Sequence, residues 1–164
     1  MASNEAQGLF RLAAELRAEL SRIDRTVSEL EQAAVRLGSA TGDRLVLYGA
    51  AALLETFYTG IEKGLTRVAL AMGGLPSGAT WHRTLLEDMT LSIPQTRPAV
   101  LSEATVAQLD SYLAFRHRFR NLYLFDLEAS LLEPLLRRTP VAWAATRAEL
   151  DAFCDTLAAM AGQC

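Results

Sequence analysis

Leu9, Leu16, Ile23, Leu30 and Leu37 stand seven residues apart, and Ala13, Leu20, Val27 and Ala34 fall between them. Two apolar positions in every seven keep one stripe of a long helix turned toward a partner helix. The same spacing is incompatible with a half-buried strand, whose apolar residues alternate with a period of two. The stretch predicts a helix over residues 4–37, closed by Gly38 where a helix stop is expected.

The remaining chain supplies the partners for that stripe. Thr41 or Asp43 caps a second helix that runs to about Met72. Its first half, LVLYGAAALL over residues 45–54, is apolar on most sides, which places it in the middle of a bundle. Gly73-Gly74 ends this helix and GLPSGAT follows as a turn-rich loop. A short helix is expected from Trp81 to about Leu91, then a proline-punctuated connection, IPQTRPAV. Ser102 caps a fourth helix. A break carrying Pro134 follows Phe125-Asp126, and Thr139-Pro140 reads as the N-cap and first-turn proline of a last helix to about Ala161. The fold class is therefore all-α: one domain over residues 1–164, an up-and-down bundle of four long helices plus one or two short ones.

Composition narrows the function classes. A net charge of −3 over 164 residues excludes binding of nucleic acid or membrane by bulk attraction, so such contact needs a local cationic cluster. The segment MASNEAQGLF has no basic stretch followed by an apolar core, as a signal peptide would. The longest apolar run stops at Glu55, short of the ~20 residues of a membrane span. A cytoplasmic protein without membrane contact is expected. Cys154 and Cys164 match no metal spacing and no disulfide framework, and read as a half-buried thiol and a terminal thiol. No metal and no cofactor are expected.

Residues 115–125, FRHRFRNLYLF, break the pattern of the fourth helix. On a wheel of about 100° per residue, Leu109, Tyr112, Leu113, Phe119 and Tyr123 share an apolar arc. Asp110, Ser111, Ala114, Arg118 and Asn121 lie opposite, which makes Arg118 a solvated charge. Arg116 and Arg120 fall inside the apolar arc one turn apart, with His117 at one edge of the arc and Asn121 one turn on, at the near margin of the polar side. Removing a guanidinium from water costs several kcal/mol unless it is paired. Glu55 and Glu62, on one face of the second helix, are candidate partners; a bound phosphate is the other, since the arginine fork suits both. Phe115, Phe119 and Tyr112 read as core or interface residues rather than base-stacking platforms, and Arg137-Arg138 as a solvated helix end near a C-terminal dipole. His82, beside Trp81, reads as a ring pair that anchors the start of the short helix; the functional alternative brings it to the arginine cleft.

The segment Arg116-His117-Arg118-Phe119-Arg120-Asn121-Leu122-Tyr123 resembles the signature helix of HEPN-domain proteins, and in particular of HepT-like ribonuclease toxins. Their signature is an arginine, four residues, a histidine, one residue and a tyrosine. Arg116 and Tyr123 match in place, and Asn121 stands where the histidine is expected. LLETFYTGIEKGLTRVA and LPSGATWHRTLLEDM also resemble the HepT-like pattern. The resemblance implies a homodimer, or a higher homo-oligomer, whose facing signature helices form a cleft that cleaves RNA without a metal. It also implies a partner, a minimal nucleotidyltransferase antitoxin that silences the toxin by transferring AMP to the motif tyrosine, here Tyr123.

Asn121 cannot carry a proton at neutral pH and only orients by hydrogen bonds. His117, whose two protonation states are both accessible near neutrality, is the local substitute. The expected catalytic set is Arg116 and Arg120 on the phosphate, His117 for proton transfer and Asn121 for orientation. Two alternatives stand beside it: a HEPN module that binds RNA, a nucleotide or the nucleotidyltransferase without cleaving, and a purely structural oligomerisation bundle.

Overall fold

The computed structural model describes residues 3–39 and 42–163; Thr41, one of the two expected caps, and Cys164 lie outside these. The heptad stripe is buried inside α1 (Asn4–Ser39), where Leu16, Leu20, Ile23, Val27 and Leu30 are all enclosed. Asp43 is the cap of α2 (Arg44–Ala71), its carboxylate accepting from the amides of Leu45 and Val46. Then come α3 (Trp81–Asp88), α4 (Glu103–Phe119), a single 3-10 turn (Leu124–Asp126) and α5 (Ala129–Ala161). Among the described residues there is no strand, only an isolated bridge between Ile93 and Arg97. The chain is an all-α bundle, as expected.

Cross-helix contacts give the direction of each helix. Ile23 of α1 meets Gly60 of α2, and Leu16 meets Gly64, so these two helices run antiparallel. Arg17 pairs with Asp155 and Asp24 with Arg147, so α5 also runs against α1. Glu149 holds the start of α4 at Ser102 and Thr105, while Tyr112 bonds the Leu135 carbonyl further back on α5. The result is an up-and-down arrangement in which α2 touches every other helix. That central place explains its enclosure by apolar residues: Leu54, Phe57, Ile61 and Val68 are inaccessible to solvent. Phe57 lies edge-on to both Tyr112 and Trp143, with ring centroids 5.1 and 6.0 Å away.

Four expectations need correction. The short helix stops at Asp88 rather than Leu91. Arg97, buried to 4% exposure, takes the carbonyls of Asp88 and Leu91 together with those of Met72 and Pro98. A guanidinium satisfied by carbonyls pins the connection and ends the helix in one step; its pKa is lowered by burial, which the nearby Asp88 opposes. Next, neither Pro134 nor Pro140 marks a helix boundary: both lie inside α5, which starts at Ala129. They sit on its exposed face, while Leu132, Leu135, Leu136, Thr139 and Ala142 are buried along the other. Burial of that face outweighs the loss of two amide donors. Arg137 and Arg138 are consequently mid-helix, and Arg138 donates to the Pro134 carbonyl. Finally, Cys154 is fully buried rather than half-buried, and burial pushes its thiol pKa up.

α1 and α2 pack tightly at Gly60, where an added Cβ would lie 2.8 Å from Ile23 Cγ1. Gly60→Ala is therefore expected to destabilise the protein by about 1–3 kcal/mol, the usual range for overpacking, measured by urea denaturation.

Candidate functional site

The fourth helix ends sooner than the motif does. α4 stops at Phe119, and Arg120 is its cap residue, its amide bonding the carbonyls of Arg116 and Arg118. Asn121 turns its side-chain amide back onto the His117 carbonyl at 2.8 Å. The end of the helix is thus closed by the residue that stands at the motif histidine's position. Tyr123 leaves the helical arc altogether: it is 73% exposed and stacks on Phe125 with ring centroids 5.3 Å apart. Its expected place among the apolar residues of the helix is overturned by this early ending. Phe115 and Tyr112 are buried as expected, with Phe119 stacked on Phe115, and Arg118 is exposed.

The two arginines part company. Arg116 is 7% exposed and lies against α2. Its Nη1 donates to Glu62 Oε1 at 2.7 Å. Its guanidinium lies over the Tyr58 ring, 5.9 Å from the centroid. Arg120, whose side chain is 58% exposed, donates from Nε to Glu55 Oε1 at 3.3 Å. Glu55 Oε1 is also 3.9 Å from Arg116 Nε, too far to count as a hydrogen bond. Arg116 Nε is consequently buried without a partner. Both expected carboxylate partners are therefore in place, but they leave the buried guanidinium incompletely satisfied.

Tyr58 completes the wall. Burial pushes its hydroxyl pKa well above the usual phenol value; the Glu62 charge adds to this and Arg116 opposes it. Tyr58 therefore stays neutral and serves as a flat apolar face under the cation.

His82 joins this group, as the functional alternative for it required. Its Nδ1 lies 2.6 Å from Glu62 Oε2. The ring pair with Trp81 is also present, stacked at 3.8 Å between centroids. The two readings of His82 were not exclusive: Trp81 supports the ring and Glu62 uses it. An Arg83–Asp110 pair at 2.7 Å ties the start of α3 to α4 alongside. By contrast, His117 is exposed, and its imidazole makes no hydrogen bond or ion pair among the described residues.

One further residue, Arg44, escaped the sequence reading. Its Nη2 donates to the carbonyls of Leu124 and Phe125, at 3.0 and 2.9 Å, while Nε donates to the Tyr48 hydroxyl. It clamps the turn that follows Tyr123 onto the start of α2. Nothing in its local sequence signals this, since its partners are backbone atoms 80 residues away. No group of three or more potential metal ligands occurs among the described residues. No helix among them is long and apolar enough to cross a membrane.

The model of a family described as HepT-like protein matches residues 49–157, from early α2 to near the end of α5. The chain belongs to the HepT-like family. No curated protein and no solved structure matches it. Within this HepT-like chain the matched region holds Glu55, Tyr58, Glu62, His82, Arg116, Arg120 and Tyr123, whereas all of α1 and the Arg44 clamp precede it.

Glu62 is the carboxylate that makes burial of Arg116 tolerable. Removing one partner of a buried ion pair leaves the other charge uncompensated, so Glu62→Ala is expected to cost about 3–5 kcal/mol of stability, read as a lowered urea midpoint. Glu55→Ala, at a partner side chain that is 25% exposed, should cost clearly less.

Proposed function

We propose that this HepT-like protein is a toxin-type, metal-independent endoribonuclease that acts as a homodimer, with Arg116 and Arg120 on the scissile phosphate. A nucleotidyltransferase antitoxin silences it by AMP transfer to Tyr123. The observation that carries this reading is the incomplete satisfaction of Arg116: a guanidinium more than nine-tenths buried keeps an unpartnered Nε. Buried donors left unmade are costly, so such a group persists where a ligand uses it. Family membership supports the same reading. So does the exposure of Tyr123, since an acceptor hydroxyl must be reachable by another protein.

The chemistry then follows from the residue types. A 2′-hydroxyl attacks the adjacent phosphorus, its proton goes to a base, and the leaving 5′-oxygen takes a proton from an acid. The products are a 2′,3′-cyclic phosphate and a 5′-hydroxyl. Arg116 and Arg120 neutralise charge that grows on the phosphoryl oxygens. His117, exposed on α4, moves the proton; in a twofold cleft the second copy's His117 serves as well. Asn121 orients the end of the helix by its bond to the His117 carbonyl.

A second reading keeps the cleft and drops the cleavage. It is favoured by Asn121, whose amide is occupied in closing α4 and cannot titrate. In that case the protein binds RNA, a nucleotide or the nucleotidyltransferase without cutting.

Purified, unmodified protein in EDTA is expected to cleave RNA, and Arg116→Ala to lower the rate by about 10²- to 10³-fold. His117→Ala should lower it by about 10²- to 10⁴-fold. A wild-type protein that binds RNA without cutting it selects the second reading. An active protein that keeps its full rate without His117 removes that residue from the mechanism. Co-expression with the nucleotidyltransferase should add the mass of AMP to the intact protein. Tyr123→Phe should abolish the addition; an addition that persists places the acceptor elsewhere.

A further inference from the structure

Glu62 divides its two oxygens between two cationic or proton-donating groups. Oε1 receives Arg116 Nη1 at 2.7 Å and Oε2 receives His82 Nδ1 at 2.6 Å. The division matters because a carboxylate facing a guanidinium prefers to take it with both oxygens, as two parallel hydrogen bonds. In that fork-on-fork arrangement Glu62 would occupy a second nitrogen of Arg116. Here it occupies one, and Nε stays unpartnered.

We propose that His82 is a positioning residue of the phosphate site: by holding Oε2 of Glu62, it keeps the carboxylate from closing on Arg116 as a bidentate pair and so leaves guanidinium donors free for a phosphate oxygen. The proposal rests on the reading that Arg116 binds a backbone phosphate, and it adds to that reading the device that keeps the arginine open. The imidazole is well held for this task. It stacks on Trp81 at 3.8 Å, with the rings 30° apart. The Arg83–Asp110 pair fixes the first turn of α3 against α4, the helix that carries Arg116. Nδ1 is the nitrogen that faces the Glu62 carboxylate, so it is the one that donates.

The device leaves a signature that a purely structural histidine would not. Without the imidazole, Glu62 swings onto Arg116 and gains a hydrogen bond there. Stability changes little, while the ligand loses a donor. In a chain without Arg116 the same substitution has no path to the ligand.

The test uses a 2′-deoxy-substituted RNA oligonucleotide, which cannot be cut through a 2′-hydroxyl, with binding followed by fluorescence anisotropy. His82→Ala is expected to weaken binding about 10-fold, the value of one charge-assisted hydrogen bond. His82→Asn, whose amide can donate from nearly the position of Nδ1, is expected to restore most of it. In an Arg116→Ala background, His82→Ala is expected to cause no further loss, because the two effects run through one group. Circular dichroism shows that each variant is folded. Unchanged affinity in His82→Ala, failure of His82→Asn to rescue, or a loss that persists without Arg116 overturns the proposal; so does a wild-type protein that does not bind the oligonucleotide. Binding with the expected pattern but no cleavage of ordinary RNA defeats the ribonuclease reading alone and leaves the role of His82 standing.

Discussion

The Glu62 carboxylate is the point on which the site depends. It is buried, it neutralises a buried arginine, and it accepts from a histidine on a third helix. Each of these contacts constrains the others. Arg116 could not lie against α2 without an anion, because the desolvation of its charge would go uncompensated. Glu62 also gives Nδ1 of the half-buried His82 its hydrogen-bond partner on α2. One side chain thereby joins α2, α3 and α4 at the place where a phosphate ligand is proposed. Glu55, two helical turns earlier on α2, extends the chain of charges outward to the exposed Arg120.

The same helix organises the fold. α2 is enclosed because it contacts every other helix, and its apolar sides bury the heptad stripe of α1, the aromatic contacts of α4 and the inner face of α5. Its polar face, with Glu55, Tyr58 and Glu62, is turned to α4. Gly60 lies between these residues and lets Ile23 of α1 approach from the other side. Close packing on one side of α2 therefore coexists with a pattern of charges on the other. A bundle so organised holds the arginines on rigid elements, whereas Tyr123 rides on a turn. Arg44 pins that turn through its carbonyls, so that an exposed aromatic pair is presented on fixed backbone.

Much of this was legible in the residues. The heptad stripe, the apolar start of α2 and the caps at Asp43 and Ser102 are local signals, and each produced the element expected of it. Glu55 and Glu62 were identified because burying Arg116 demanded anions and these two lie on one helical face. The misses share a cause: they turn on distant partners. Pro134 and Pro140 look like boundaries until the opposite face of α5 is seen to be buried. The motif looks wholly helical until Asn121 is found closing the helix at His117. Arg97 and Arg44 act on backbone carbonyls, which no side-chain pattern betrays. For His82, the stack on Trp81 was readable from adjacency, whereas the bond to Glu62, 20 residues away on another helix, was not.

Glu55 offers the most direct test of whether the arginines serve a ligand or only each other's carboxylates. It lies 3.9 and 3.3 Å from Arg116 and Arg120 respectively, where it would compete with the proposed phosphate. Affinity for a single-stranded RNA should be measured in Glu55→Gln beside Glu128→Gln, which alters an exposed carboxylate outside this cluster. If the arginines are phosphate ligands held in reserve, the first change tightens binding several times more than the second. Equal effects from the two, or weaker binding in Glu55→Gln, would mean that the arginines are there to be neutralised, and the phosphate site would have to be sought elsewhere.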